Sequence, residues 1–283
     1  GPRQMVINNE GRNFIGFANI TGVYDAGVSE NSLIGNNHGY VQEHGIRLFS
    51  QAYGTHLSGY GLVNIVVAGN HMRIRQSTLP SGSTHFYGGV FIQAGSTLST
   101  KNIKFIDNTI EYDLEGSTPS HTAVSCAIGA NETSGTEVYE GLLISGNTII
   151  NAPAMAIALG LGGGVLQDAY VGPNTIINPG QSLSASVASA LKVGIWGSAS
   201  SYTGSLIVER QTISDRNAVT RMTYGAFFLP GNSSTTIPCR MELDIILSGD
   251  KTAYSGPVQN VSNYLSIVAK VRQNKAFAAP GQT

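Results

Sequence analysis

Short apolar runs that end in Asn recur along the chain. The clearest copies end at Asn70, Asn108, Asn147 and Asn174, and weaker copies end at Asn9, Asn36, Gln211 and Asp250. Successive ends lie 27 to 39 residues apart. One such unit cannot bury its apolar residues alone, so a repeat of this length predicts a stack of similar coils.

Apolar and polar residues alternate within each unit, as they do in half-buried strands. One set of strands is predicted at 45–49, 89–93, 123–128, 156–159, 193–196 and 226–229, and a second at 63–67, 102–106, 141–144 and 205–208. The apolar residues predicted to point inward after each Asn are Met72, Ile74, Ile110, Tyr112, Ile149, Ile176 and Ile213. Strands of one set can stack in parallel if the rest of each coil forms the crossover.

This pattern predicts an all-β fold, a right-handed single-stranded parallel β-helix. A β-sandwich would instead show hairpin turns about every 8 to 12 residues. The repeated Asn tolerates the left-handed backbone of a tight corner, and its amide can hydrogen-bond to the Asn of the next coil. Both properties suit the corner of a coil.

The β-helix is predicted over residues 5–250. Residues 251–283 depart from the period and are expected to form an irregular cap or an oligomerisation segment. The chain opens with Gly1-Pro2 instead of Met, so residues 1–4 are expected to be an expression scar at the start of a fragment. Insertions are predicted at 50–62, 77–88, 114–122, 131–139 and 178–190, and the last could hold a short helix at 182–190.

Composition, charge and the absence of certain motifs argue against several classes of function. Charged residues make up 12% of the 283 residues and the net charge is −1, which argues against a nucleic-acid partner. No stretch has the length of a transmembrane span, so no membrane insertion is expected. Cys126 and Cys239 are predicted to be buried free thiols. No motif for a cofactor or a metal is present, and none is predicted; the glycine-rich stretch 160–164 is interpreted as a turn.

A first polar cluster comprises Glu43, His44 and Arg47, next to Phe91 and Ser125 in the predicted register. An Arg beside an aromatic ring could contact a sugar. The alternative is a surface Arg that packs on Phe91 and pairs with Glu43, which would contribute little stability.

A second cluster places His71, Arg73 and Arg75 on one coil and Glu111 and Asp113 on the next. Alignment on Asn70 and Asn108 sets Arg73 beside Glu111 and Arg75 beside Asp113. The cluster is either a charge ladder, with each pair worth about 0.2–1 kcal/mol, or one wall of a groove.

A third group lies in the insertions, where binding residues often gather. It contains the aromatic and titratable residues Tyr53, His56, Tyr60, His85, Phe86, Tyr87, Glu115 and His121. Aromatic rings stack on sugar faces, and His titrates near neutral pH.

The coil pattern, the Asn corners and the strand Glu43-His44-Gly45-Ile46-Arg47-Leu48 resemble the pectin-lyase-like β-helix superfamily. Within it, the low charge and the richness in Gly, Ser and Thr are most similar to bacteriophage tailspike depolymerases. The resemblance covers about residues 5 to 250 as a repeat pattern. It implies a homotrimer on the virion tail that binds, and often cleaves, bacterial surface polysaccharide.

Two cleavage mechanisms stay open at this point. A lyase needs a cation for the uronate carboxylate, for which Arg47, Arg73 and Arg75 are candidates. It also needs a base, for which His44, His71, His85 and Tyr87 are candidates. A hydrolase needs two carboxylates, for which the candidates are Glu43, Asp107, Glu111, Asp113 and Glu115, and no spacing in the sequence selects one pair. The substrate-binding residues predicted with them are Tyr53, His56, Arg73, Arg75, His85, Tyr87, Phe91 and His121. The alternatives are a glycan-binding or structural fibre segment without activity and a secreted, monomeric polysaccharide lyase.

Overall fold

The computed structural model describes residues 3–23, 29–51, 60–75, 88–94, 99–113, 126–132, 138–153, 155–159, 165–181, 189–194, 201–217, 222–229, 239–249, 254–260 and 265–273. These residues form β-strands and no helix. All the strand pairings among them are parallel. The predicted all-β class and the parallel arrangement are confirmed.

In chain order the strands are β1 (Met5–Ile7), β2 (Glu10–Val23), β3 (Ser29–Glu30), β4 (Leu33–Gly35), β5 (His38–Gln51), β6 (Tyr60–Ala68), β7 (His71–Arg75), β8 (Gly88–Ala94), β9 (Ser99–Ile106), β10 (Thr109–Asp113), β11 (Cys126–Glu132), β12 (Val138–Glu140), β13 (Leu143–Ser145), β14 (Thr148–Ile150), β15 (Met155–Leu159), β16 (Val165–Val171), β17 (Thr175–Ile177), β18 (Ser189–Gly194), β19 (Ser201–Asp215), β20 (Tyr224–Leu229), β21 (Cys239–Leu247), β22 (Gly256–Asn260) and β23 (Leu265–Gln273).

Each strand pairs with the equivalent strand of the next coil, which produces three stacks. Stack 1 contains β7, β10, β14 and β17; stack 2 contains β8, β11, β15, β18, β20 and β22; stack 3 contains β1, β3, β4, β6, β9, β12, β13 and β16. The long strands β2 and β5 run from stack 1 into stack 2, and β19, β21 and β23 run from stack 3 into stack 1. This repetition is consistent with a solenoid.

The core is built from apolar side chains that repeat at the same register position. In stack 1 one inward column is Met72, Ile110, Ile149, Ile176, Ile213 and Ile245, all of them fully buried. Burying each such side chain contributes about 1.5–3 kcal/mol relative to its exposure to water. The inward positions predicted from the alternation, including Ile74 and Tyr112, are confirmed.

The predicted Asn ladder is present as a continuous chain of side-chain hydrogen bonds at one corner. Each side-chain amide nitrogen donates to the side-chain oxygen of the next coil over 2.8–3.0 Å, in the order Asn9, Asn37, Asn70, Asn108, Asn147, Asn174 and Gln211. The member in the second coil is therefore Asn37, one residue after the predicted Asn36. Asp250 lies outside the described residues.

At five of the seven ladder residues (Asn9, Asn37, Asn70, Asn108 and Asn147) the left-handed corner residue is the one before the ladder Asn, which corrects the role expected of the Asn itself. Asn36 has φ of 53°, Asp107 of 54° and Gly146 of 72°. Only Gly, or a short polar residue such as Asn or Asp, adopts this conformation readily. The corner is thus a two-residue unit: a left-handed residue followed by the ladder residue.

Some predicted boundaries differ from the structure. Ser189 and Ala190, placed in a possible helix, begin β18 instead, where Leu191 pairs with Ile157 of the previous coil; residues 182–188 lie outside the described residues. Strands β22 and β23 pair in parallel with β20 and β21, so the stack extends beyond the boundary predicted at residue 250. A terminal cap stays a prediction.

The last coil carries a buried carboxylate, from which a pH dependence follows. Both Asp244 oxygens accept hydrogen bonds of 2.7 Å from Arg272, and the Asp244 side chain is only 9% exposed. Those hydrogen bonds, more than the nearby charges, hold the pKa of Asp244 below its ordinary 3.8. Because the folded pKa is the lower one, the pair stabilises the fold above pH 3.8, and this contribution is lost as the pH falls through the folded pKa.

We therefore expect the free energy of unfolding to fall between pH 5 and pH 2 more steeply in the wild type than in Asp244→Asn. Chemical denaturation at half-unit steps of pH measures it. Arg272→Ala, which removes the other partner, should share the shallower slope of Asp244→Asn. Equal slopes in all three proteins would contradict this account.

Candidate functional site

The outer face of stack 1 carries a groove of about 540 Å³ at the first four described coils. Its lining combines three carboxylates, two guanidinium groups, two imidazoles and a phenol. The lining residues are Glu10, Gly11, Arg12, His38, Gly39, Tyr40, His71, Arg73, Glu111 and Asp113. A concave surface with this mixture of aromatic and ionisable groups is suited to a polar ligand.

The groove side chains fall into columns set by the ladder. The first residue after each ladder Asn forms one column, Glu10, His38 and His71, which are paired in register on neighbouring strands. The third residue forms a second column, Arg12, Tyr40, Arg73 and Glu111. Asp113, the fifth residue after Asn108, completes the wall. Alternation puts all of these on the outer face, because the residues between them point inward.

The same columns change character in the later coils. The first column continues as Thr109, Thr148, Thr175 and Thr212, and the second as Ile150, Ile177 and Ser214. Charged residues return only in the last two coils, with Asp244 and Lys270 in the first column and Arg272 after Ile246 in the second. Because the same strands stack with Thr and Ile at these positions, the fold does not require charged or aromatic residues there. The groove residues of the first coils are therefore candidates for a function beyond stacking.

Asp113 is held in place by two neighbours. Arg73 donates a hydrogen bond of 2.9 Å to Asp113 Oδ2, and the Tyr40 hydroxyl lies 3.5 Å from the same oxygen. The Arg73 guanidinium also lies over the Tyr40 ring, 5.6 Å from its centroid. These three side chains form one connected cluster across three coils.

The predicted register of the charge cluster is confirmed, but its ion pair is not the predicted one. Arg73 lies beside Glu111 and Arg75 beside Asp113 in the backbone register. The ion pair nevertheless joins Arg73 to Asp113, since a long Arg side chain reaches the diagonal neighbour two residues further on. Arg75 is half-buried and does not line the groove.

The remaining groove side chains differ in whether they form hydrogen bonds, ring contacts or neither. Arg12 donates to Glu10 Oε1 over 2.8 and 3.0 Å. The rings of His38 and His71 lie edge to face, with centroids 5.8 Å apart. Among the described residues, nothing forms a hydrogen bond or an ion pair with the Glu111 carboxylate.

Comparison of the sequence with models of protein families and with curated proteins finds no match. No helix within the described ranges is long and apolar enough to span a membrane. In the same ranges, no group of three or more His, Cys, Asp and Glu side chains is arranged to hold a metal ion. Function is therefore argued from the groove itself.

The described side chains of the first predicted cluster lie on stack 2, away from the groove; His44 and Phe91 are buried and Arg47 is half-buried. Phe91 is 1% exposed and packs with Cys126, Met155 and Ala158, which corrects its prediction as an open sugar platform. In register it pairs with Arg47 on one side, as predicted, and with Gly129 on the other, whereas Ser125 lies outside the described residues.

Burial also determines the protonation of His44 in this cluster on stack 2. Loss of solvation, and next the charge of Arg47, lowers the pKa of His44 to about 4, so the imidazole is neutral near pH 7. Arg47 lies over the ring of Phe49, 5.1 Å from its centroid. Nothing is described of the Glu43 side chain. We therefore do not place His44, Arg47 or Phe91 in the candidate site.

The prediction for the cysteines is confirmed for one of them. Cys126 is a buried free thiol, and burial raises its pKa to about 12, so it stays protonated and unreactive. The Cys239 side chain lies outside the described part of the chain.

The insertion residues predicted to bind substrate, Tyr53, His56, His85, Tyr87 and His121, all lie outside the described residues, as do Phe86 and Glu115. Tyr60 is described and lies on stack 3. Its hydroxyl donates a hydrogen bond of 2.6 Å to Glu140 Oε2, and Lys101 forms an ion pair with Oε1 of the same carboxylate. This trio is separate from the groove.

Sequence reasoning missed Glu10, Arg12, His38 and Tyr40. The signal was present: each is the first or third residue after a ladder Asn. Alignment on Asn36 in place of Asn37 shifted the second coil by one residue, which reverses the assignment of inner and outer faces.

Proposed function

We propose that this protein binds a bacterial surface polysaccharide along the stack 1 groove and cleaves its glycosidic bonds. One observation carries the proposal: ionisable and aromatic side chains fill the outer columns of the first coils and line a groove there, whereas Thr, Ile and Ser occupy the same columns in the middle coils. Tyr40 and the imidazoles offer faces to a sugar ring, and the carboxylates accept its hydroxyl hydrogens.

The pairing of the charges favours hydrolysis over elimination. A lyase needs a cation free to neutralise the uronate carboxylate. Both guanidinium groups that line the groove already pair with a carboxylate: Arg12 pairs with Glu10, and Arg73 pairs with Asp113. A hydrolase needs two carboxyl groups on one face, which Glu111 and Asp113 provide.

The backbone spacing of these two residues is compatible with an inverting hydrolase. Residues i and i+2 of a strand have Cα atoms about 6.6 Å apart and point to the same side. The carboxyl groups of inverting enzymes are about 6.5–9.5 Å apart, which leaves room for a water molecule. We assign Asp113, oriented by Arg73 and Tyr40, as the base that activates this water, and Glu111 as the acid that protonates the leaving oxygen.

The test is mass spectrometry of the oligosaccharides released from a panel of capsular and O-antigen polysaccharides. Glu111→Gln and Asp113→Asn should each lower the rate of release by about 10²–10⁴-fold, the range of a general acid or base. The matched control is Glu140→Gln, the same change on stack 3, which should keep the wild-type rate.

Three results would contradict the assignment. Products with unsaturated ends would indicate a lyase. Binding to one glycan without release would indicate a receptor-binding segment. Unchanged rates in both groove variants would remove the groove from the mechanism.

The resemblance to tailspikes extends the proposal to the handedness, the oligomeric state and the location of the protein. We propose that the solenoid is a right-handed β-helix, the hand that crossovers between parallel strands almost always take. The protein would then act as a homotrimer on a virion tail, with a terminal cap on the end of the stack. Light scattering should give three times the mass of one chain, whereas the secreted lyase alternative requires a monomer.

A further inference from the structure

His38 and His71 form a pair of imidazoles built by the ladder register. Each follows a ladder Asn directly, and the two residues are register partners on the adjacent parallel strands β5 and β7. Both residues are exposed on the outer face, and their rings meet edge to face at a centroid distance of 5.8 Å. Neither ring is stacked on an aromatic side chain of the core.

The separation of the rings suits two ligands of one metal ion. A nitrogen at about 2.0–2.1 Å from the ion places the ring centroid about 3.2 Å from it, so two ligating rings have centroids roughly 5–6.5 Å apart. The observed 5.8 Å lies inside this interval. Both rings can turn toward a shared ion by rotation of their side chains, because they lie at the surface.

The surrounding charges are compatible with a cation. Glu10 is the register neighbour of His38 on the far side of the pair, and Thr109 is the neighbour of His71. Glu111 and Asp113 add two carboxylates to the same groove, and its two guanidinium groups are paired with Glu10 and Asp113. With neutral imidazoles the five charged groove residues sum to −1 (three acids against two Arg).

We infer that His38 and His71 bind a divalent transition-metal ion, with water molecules completing its coordination. Imidazole suits Cu²⁺, Ni²⁺ and Zn²⁺, and Cu²⁺ binds most tightly among the first-row divalent ions at a given site. This inference goes beyond the proposed function and does not depend on it.

Metal binding has a consequence for the groove. The ion would lie in the first column, beside the second column of Arg12, Tyr40 and Arg73. It would then occupy part of the space that a groove ligand fills, so a bound metal ion and a ligand in the first coils should compete.

The experiment is titration of the purified, tag-free protein with Cu²⁺ alone, followed by calorimetry and by electron paramagnetic resonance. We expect one tight Cu²⁺ per chain, with hyperfine splitting from two imidazole nitrogens. His38→Ala and His71→Ala should each weaken this binding by at least about tenfold, the loss that even an outer partner of a metal ligand causes. Thr148→Ala, in the same column two coils beyond His71, is the matched control and should bind as the wild type does.

Two outcomes would overturn the inference. One is a wild type without a nitrogen-coordinated Cu²⁺ of one-to-one stoichiometry. The other is a tight site that both His variants retain, which would place it on other histidines of the chain. Circular dichroism of each variant verifies that it is folded, and polysaccharide cleavage is not part of the readout.

Discussion

Replacing Asn108 with Ala is expected to lower the free energy of unfolding by about 3–5 kcal/mol. The fully buried Asn108 side chain takes part in four hydrogen bonds. Its oxygen accepts from the Asn70 backbone nitrogen at 3.1 Å and from Asn70 Nδ2 at 2.9 Å. Its nitrogen donates to the Val67 carbonyl at 2.9 Å and to Asn147 Oδ1 at 3.0 Å. The Ala variant leaves several of these buried partners unsatisfied, at about 1–3 kcal/mol each.

Equilibrium unfolding in guanidinium chloride measures this loss. The matched control is Asn64→Gly, at an exposed corner where Asn64 bonds to Asn31 and Asn102 over 3.2 and 3.0 Å. Gly keeps the left-handed backbone at this position, and water replaces the lost bonds, so a loss below about 1 kcal/mol is expected. A similar loss in both variants would mean that the buried ladder contributes no more than an exposed one.

The ladder was largely predictable because it depends on local residues. A corner needs a left-handed residue and an amide, and the dipeptides Gly69-Asn70, Asp107-Asn108 and Gly146-Asn147 supply both. In the second coil two Asn residues stand in tandem, and either satisfies the amide pattern. Only the rule that the left-handed residue comes first identifies Asn37 as the ladder member.

The groove was predictable in part, and for a similar reason. Arg73, Glu111 and Asp113 follow unambiguous ladder residues, so their shared face could be read from the spacing. His38 and Tyr40 were not predicted as groove residues, because the tandem Asn36 and Asn37 left the register of their coil ambiguous. Arg73 forms its ion pair with Asp113 and not with its register partner Glu111, because its side chain is long enough to reach the diagonal neighbour. The strand register gives only backbone neighbours, so it does not predict this pair.

Burial of the outer face of stack 2 could not be predicted. Alternation separates residues that point inward from those that point outward, but it does not tell whether an outward residue is covered. Phe91 points outward and is buried all the same, in a cluster with Cys126, Met155 and Ala158 that is separate from the main core. The residues that cover this side chain come from distant parts of the chain. The alternation within one strand does not identify them.

Replacing Gly129 with Ala should prevent native folding or cost more than about 4–5 kcal/mol, the range of the most damaging single substitutions. Gly129 has φ of 148°, a backbone conformation that side chains disfavour. A Cβ there would lie 1.9 Å from the Ala158 carbonyl oxygen and 2.8 Å from its carbonyl carbon. Both atoms belong to the backbone of the next coil, so no rotamer change relieves the clash.

The backbone cannot give way cheaply either, because Gly129 lies between two register pairs, Ile128 with Ile157 and Ala130 with Leu159, whose side chains are fully buried. Gly256→Ala is the matched control, since its Cβ would meet no atom within 4 Å and its change in stability should stay within about 0.5 kcal/mol. Soluble yield, circular dichroism and unfolding midpoints of the two variants compare them directly. If Gly129→Ala were as stable as Gly256→Ala, adjacent coils could not be as close at Gly129 and Ala158 as the strand register requires, and the pairing of β11 with β15 would have to be different.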